Sequence, residues 1–300
     1  MKKNECCPLC NSKKYFMLER INVSKIIKEY SSKIKVRHFF GELKEIKRLE
    51  CIDCGLIFFD YIIEGDSEYY AKISAGDKYY STQKWDFNKA LDLIKKYRPD
   101  SLLEIGCANG YFLEKLQHIV NEIAGNELNK SALEKCTKKG IKIIDLDNKN
   151  EYGKYDMIVT FQVFEHINDA DGMIKRVHNL LKEGGIFILA VPNPHGYLGT
   201  TWDFLNLPPH HPLWWTKESF ESLKKYNIEM IDYFEESLSY WSFLHYIYYG
   251  QDLPQGRLMN LFAKLQKIRL YFRGPSIFDE RKFIVKGHTH IGVFKKNGNI

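Results

Sequence analysis

The 300 residues are 44% apolar and 14% aromatic, which suits one large domain with a small addition and excludes a disordered or fibrous chain. Seven cysteines and an N-terminus, MKKNECCPLC, with charge but no apolar stretch predict a reducing, cytoplasmic setting; no run approaches the roughly 20 apolar residues of a spanning helix. The formal net charge of +6 is concentrated: Arg257 to Lys286 holds eight basic residues against Asp279 and Glu280, 8 − 2 = +6, so the rest of the chain is about neutral.

Residues 1–60 carry two Cys-x-x-Cys hooks, Cys7-Pro8-Leu9-Cys10 and Cys51-Ile52-Asp53-Cys54. Such hooks supply a tetrahedral zinc ribbon with thiolates at about 2.3 Å from the metal, and four thiolates leave no open position for chemistry. A structural Zn2+ on Cys7, Cys10, Cys51 and Cys54 is expected, with Cys6 a bystander, although the loop between hooks is longer than in compact ribbons. Ile46 to Phe59 reads as a strand and turn around the second hook.

Residues 61–98 form a linker and leading helix. Tyr61, Tyr69, Tyr70, Tyr79 and Tyr80 either pack the linker against the next domain or form a lid over a ligand. Phe87, Leu91, Ile94 and Tyr97 follow at helical spacing, and Pro99 ends that helix.

In residues 99–300 strand and helix patterns alternate. Leu102 to Phe112, LLEIGCANGYF, reads as strand, tight turn and helix start. Strands are predicted at Glu122 to Gly125, Ile141 to Ile144, Tyr155 to Phe161 and Ile186 to Val191. Helices are predicted at Ser131 to Lys139 and around Met173 to Leu181, the latter stopped by Gly184 and Gly185. Thr216 is a predicted N-cap, and Ile228 to Phe234 and His290 to Phe294 are the last strands. Alternation of this kind predicts an α/β, Rossmann-like doubly wound sheet with its ligand at the carboxyl ends of the strands.

The turn Gly106-x-x-x-Gly110 lacks the three glycines of a dinucleotide fingerprint, and Glu104 would repel a pyrophosphate. It suits a cationic amine. Glu127, at the end of the second strand, is placed to accept from ribose hydroxyls. S-adenosylmethionine, an adenosine with a charged amino acid tail, satisfies both acids.

From about Asp100 to Phe234 the chain resembles the class I methyltransferases, through LLEIGCANGYF, GNELN, IIDLDN, YDMIVTFQVFEHI and NLLKEGGIFILAVPN. That resemblance implies a seven-stranded sheet and a cofactor site of Glu104, Gly106, Cys107, Gly110, Glu127, Leu128, Asp145, Leu146, Phe161 and Gln162, with Asp147 an alternative to Asp145. The hooks, Glu165-His166-Ile167 and His211-Pro-Leu-Trp-Trp-Thr216 are similar to bacterial methyltransferases acting on sugars of surface polysaccharides or on nucleotide-linked sugars. By that likeness His211 is the expected base and His166 the second candidate, while His210 stands where the sugar C-methyltransferases have Glu, which favours oxygen over carbon methylation. His166 as a helix cap, and His210 or His211 as packed loop residues, are the structural alternatives; His195, His288 and His290 read as structural or solvated.

The excursion at 238–287 carries Leu258, Leu261, Phe262, Leu265 and Ile268 at helical spacing beside basic residues. It reads as an amphipathic helix over the substrate side, a phosphate-binding wall, or a peripheral membrane-surface contact. The expected partner is a small anionic or sugar-derived substrate. Nucleic acid is not expected, because the hooks lack a basic run with interleaved aromatics. An RNA or protein methyltransferase, and a non-catalytic cofactor-binding subunit, are the competing readings.

Overall fold

The computed structural model describes residues 2–30, 34–73, 84–196, 199, 203–237 and 286–298. The strand pair β1 (Lys2–Lys3) and β5 (Tyr61–Ile62) ties the N-terminus to the end of the cysteine-bearing region. Between them lie β2 (Tyr15–Asn22), α1 (Val23–Glu29), α2 (Arg37–Phe40), β3 (Glu45–Cys51) and β4 (Ile57–Phe59). The residues between the two hooks thus fold as a unit. Ile21, Ile26, Phe40, Ile46 and Phe59 share a buried cluster with Tyr69 of α3 (Ser67–Ile73).

The alternating segments give α4 (Trp85–Tyr97), β6 (Ser101–Ile105), α5 (Tyr111–Leu116), β7 (Glu122–Asn126), α6 (Lys130–Lys138), β8 (Lys142–Ile143), β9 (Tyr155–Phe161), α7 (Ala170–Leu180) and β10 (Leu181–Pro192). After β11 (Leu213–Trp214) and α8 (Lys217–Glu221) come β12 (Ile228–Glu235) and β13 (Thr289–Lys296). The seven-stranded sheet has the order β12-β13-β10-β9-β6-β7-β8, parallel from β8 to β10, with β13 antiparallel to both neighbours. The chain leaves β6 toward β7 and β8, then returns to β9 on the other side of β6. A crevice therefore opens at the carboxyl ends of β6 and β9. Both faces of the sheet are covered: Leu103, Ile105, Ile158 and Leu189 belong to one buried cluster, Leu102, Met157, Val159 and Ile188 to the other.

One expectation changes. Gly184 and Gly185 do not stop α7, which ends at Leu180, because Leu181 already pairs with Tyr155 and the glycines lie in the irregular start of β10, where Gly184 takes a φ of 74°. The sheet of residues 1–60 gains an edge strand, β11, from later in the chain, giving the order β11-β4-β3-β2, with Leu213 opposite Phe58 and Trp214 opposite Ile57. Leu9, Leu56 and Phe58 share one core with Phe164, Trp215 and Phe220 of the doubly wound part.

Thr216 is the predicted cap, in a capping box completed by Ser219, and its hydroxyl also donates to the Gly55 carbonyl at 3.0 Å. Tyr226 and Lys225 reach the Leu9 carbonyl from the far end of the same segment. Among the described residues no helix is long and apolar enough to cross a membrane. The excursion at 238–287 lies outside the described residues except for its last two positions, Lys286 and Gly287, and Tyr79 and Tyr80 lie outside them too.

Loss of a side-chain cap costs about 1 to 2 kcal/mol. Thr216→Ala should lower the unfolding free energy by that amount in a denaturant titration; an unchanged midpoint would show that neither the cap nor the Gly55 contact stabilises the fold.

Candidate active site

The glycine turn sits at the sheet's switch point. Gly106, Ala108 and Gly110 take φ values of 74°, 47° and 71°, and a Cβ on Gly106 would meet Val163 Cγ2 at 2.3 Å. The turn is therefore pressed against the segment after β9, and only glycine fits at 106. Cys107 is turned inward under the turn, 3.8 Å from Cys136 Sγ, so it offers a ligand its backbone rather than its thiol.

Glu104, only 4% exposed, leaves Oε2 without a hydrogen-bond partner. Burial pushes its carboxyl up to about 8, against the opposing pull of Lys84, and Glu127 and Asp86 push the same way. A buried acid short of a donor, in a turn that no Cβ could enter, fits a ligand with a cationic end. Glu127 accepts from the backbone N–H groups of Ala108, Leu128 and Asn129 at 2.9, 2.7 and 2.8 Å, which locks the second strand's end to the glycine turn. Oε1 takes two of these donors and Oε2 one, so Oε2 retains capacity for a ribose hydroxyl.

Leu128 is 90% exposed, an apolar side chain standing in the open beside the same edge. Asp145 is exposed and starts the turn that follows β8, accepting from the Asp147 N–H at 3.0 Å, whereas Asp147 is held by Arg176 at 2.7 Å. Both acids are exposed, and Asp147 is the one engaged by Arg176. Leu146 is buried in the core next to Asp145. Phe161 packs edge-on to Phe87 and Phe112, and Gln162 turns out of β9 with a φ of 57°, its amide 3.4 Å from Asp86 Oδ2.

Beyond Gln162, three imidazoles and a carboxylate converge. Glu165, 2% exposed, sits with Oε1 4.0 Å from Nε2 of both His166 and His211, while its Oε2 has no partner. Nδ1 of His166 lies 2.7 Å from the His210 carbonyl and 3.5 Å from the Tyr70 hydroxyl. The shorter contact is to an acceptor, so Nδ1 carries the proton. His211 Nδ1 lies 3.1 Å from Asn206 Oδ1 and donates likewise. Burial pushes His166 down to about 4, His210 to about 3 and His211 well below its usual range, so all three rings are neutral. It pushes Glu165 up to about 8. Lys84 and Asp86 act on Glu104 and Glu165 alike, so the glycine turn and the histidines share one polar interior.

The pocket beside His211 is lined by Pro192, Asn193, Asn206, Trp214 and His288. Its Trp214 comes from the edge strand of the cysteine-bearing sheet, and the Arg48 guanidinium of that sheet lies 4.4 Å over the indole ring. Tyr69 and Tyr70 pack on His210, so this part of the linker covers the cluster. The sequence reading missed Asp86, Asn206 and the pocket-lining role of His288. Single acids and amides in irregular segments carry no periodic signal, and only the fold brings them to this edge.

At the opposite end of β4, Cys7 Sγ lies 3.5 Å from Cys54 Sγ and Cys10 Sγ 3.3 Å from Cys51 Sγ, all four sulfurs being within 4.8 Å of one another and none disulfide-bonded. A tetrahedron of sulfurs at about 2.3 Å from zinc has edges of about 3.8 Å, so the four thiols suit that ion.

Residues 82–232, half of the chain, match the methyltransferase domain family. The ubiquinone biosynthesis O-methyltransferase of Pelagibacter ubique is 29% identical over 100 residues, covering 31% of this chain and 42% of that protein. An uncharacterized protein of Methanocaldococcus jannaschii is 26% identical over 133 residues, covering 42% of this chain and 62% of its own length. The matches to these curated relatives thus span from about two fifths to three fifths of their lengths. An S-adenosylmethionine-dependent methyltransferase from Thermotoga maritima, described as a possible histamine N-methyltransferase, shares the fold at a TM-score of 0.50 and 13% identity, over 77% of this chain and 97% of that one. The family match covers the crevice strands, the glycine turn and Glu127 together, and the chain belongs to the S-adenosylmethionine-dependent methyltransferases.

Proposed function

We propose that the chain methylates a hydroxyl oxygen of a small anionic, sugar-derived acceptor, in the synthesis of a bacterial surface polysaccharide, and that the Glu165, His166 and His211 cluster is where that hydroxyl loses its proton. The observation that carries this reading is the convergence of neutral imidazole Nε2 atoms on a buried carboxylate, next to the glycine turn and opening on a pocket. S-adenosylmethionine supplies a methyl carbon already activated by its sulfonium. Glu104 and the Gly106 to Gly110 turn hold the amino acid end, Glu127 takes the ribose, and Leu128 and Asp145 flank the adenine. Phe161 and Gln162 wall the crevice below. The chain's task is alignment and removal of one proton.

His211 Nε2 is the leading acceptor of that proton and His166 Nε2 the second, since each Nδ1 is already committed to a carbonyl-type oxygen. The Pelagibacter relative is named as an O-methyltransferase, which supports oxygen as the acceptor atom. Trp214 offers a flat apolar wall of the kind that stacks on sugar rings, and Arg48 a cation behind it. Cys7, Cys10, Cys51 and Cys54 hold structural Zn2+ in this reading. Its effect on catalysis is indirect: the turn after Cys54 receives the Thr216 hydroxyl, and β4 carries β11, two residues beyond His211.

Three outcomes follow. His211→Ala should lower turnover by roughly 10²-fold or more with cofactor affinity nearly intact; wild-type rates, measured on a panel of nucleotide-linked and phosphorylated sugars, would remove His211 from the mechanism. The Glu104 carboxyl, raised to about 8, is mostly protonated at pH 6, and the cationic ligand favours the ionised form. Calorimetric affinity for S-adenosylmethionine should therefore rise between pH 6 and 8, by at most about tenfold per unit, and Glu104→Gln should abolish the slope. Cys51→Ser should release the bound metal, read by elemental analysis, and lower turnover more than cofactor affinity. Binding of as much zinc by that variant as by the wild-type chain would contradict the four-thiolate site.

A further inference from the structure

We infer that Glu165, His166 and His211, with His210 beside them, form the seat of one divalent cation, a second metal site separate from the four cysteines. The inference rests on the reading that the acceptor hydroxyl is ionised at this cluster. The ligand atoms of the three histidines lie within 4.8 Å of one another, and Glu165 Oε1 stands 4.0 Å from two of the Nε2 atoms. Ligands about 2.1 Å from an ion lie about 3 to 3.4 Å apart, so closure of the Glu165 contacts by about 1 Å or less, and of the histidine atoms by at most about 1.8 Å, completes the shell.

Two further features match a metal site. Both Nδ1–H groups are tied to oxygens, His166 to the His210 carbonyl at 2.7 Å and His211 to Asn206 Oδ1 at 3.1 Å. Outer hydrogen bonds of this type fix the tautomer and aim the other nitrogen's lone pair at a metal. Glu165 is buried and among the described residues its Oε2 has no partner, so an ionised Glu165 would face the two Nε2 lone pairs with no donor between them. A cation resolves that arrangement; otherwise Glu165 must keep its proton. The donor set of imidazoles and one carboxylate, with the pocket on its open side, is that of zinc and related first-row ions rather than calcium or magnesium. With the ion seated, the Nε2 lone pairs bind metal, and a hydroxyl taking the open position is ionised by the ion, its proton passing to solvent.

Equilibrium dialysis against Zn2+ tests the site without any acceptor. The wild-type chain should take up two ions. His211→Asn keeps a donor where Nδ1 is and lacks Nε2; it and Glu165→Gln should each take up one, with an unchanged circular dichroism spectrum. Cys51→Ser should lose the other. Uptake of a single ion by the wild type, or of two by both His211→Asn and Glu165→Gln, would overturn the inference. Single uptake with methyl transfer that still fails in His211→Ala would overturn the cation and leave the imidazole as direct base. Double uptake with no transfer to any hydroxyl would sink the proposed reaction while supporting the site.

Discussion

A carboxyl group taken out of water is costly, and this fold places three of them at one edge of its sheet. Glu104, Asp86 and Glu165 are all buried and all raised by that burial, with Lys84 as the cation acting on each. Glu104 stands on β6 and Glu165 in the 3₁₀ turn that follows β9, and β6 and β9 are neighbours at the centre of the sheet. The edge is consequently built for positive charge brought from outside. An ammonium and sulfonium at the glycine turn, and a metal ion at the histidines, are two answers to one electrostatic demand.

The cysteine-bearing sheet completes the other wall. Its edge strand β11 is supplied by the segment that carries His211, so the loop bearing the imidazole is stretched between Pro192 at the end of β10 and a two-residue pairing on β4. Trp215 is buried behind this strand and donates to the Phe164 carbonyl, which fixes the 3₁₀ turn containing Glu165 and His166. The two halves of the histidine cluster are thus joined through one indole. Trp214, with Arg48 over its ring, then puts the edge of the cysteine-bearing sheet in contact with whatever fills the pocket.

Much of this was readable from local pattern. Short apolar runs alternating with helical spacing marked the strands, Thr216 announced its helix, and paired Cys-x-x-Cys spacing brought four sulfurs together across 47 residues of chain separation. The strand, turn and helix start around Gly106 and Gly110 were legible for the same reason, since turn chemistry is local. What stayed hidden depends on distant parts meeting. β11 is two residues long and has no period to detect. The pairing of Leu181 with Tyr155 overrode the two glycines that looked like a helix stop. Glu165 read as half of a motif, and only its burial among lone pairs shows why it matters.

The pairing of β11 with β4 also bears on how the chain is made. Leu213 and Trp214 meet residues about 150 positions earlier, so the cysteine-bearing sheet emerges from synthesis with an open edge on β4. That edge, lined by the buried Ile57 and Phe58, stays uncovered until the crevice strands β6, β9 and β10 have all appeared. The first region to be synthesised is therefore among the last to finish folding, and its completion coincides with the arrival of His211. A chain that has closed its cysteine-bearing sheet has, by the same event, positioned its histidine loop.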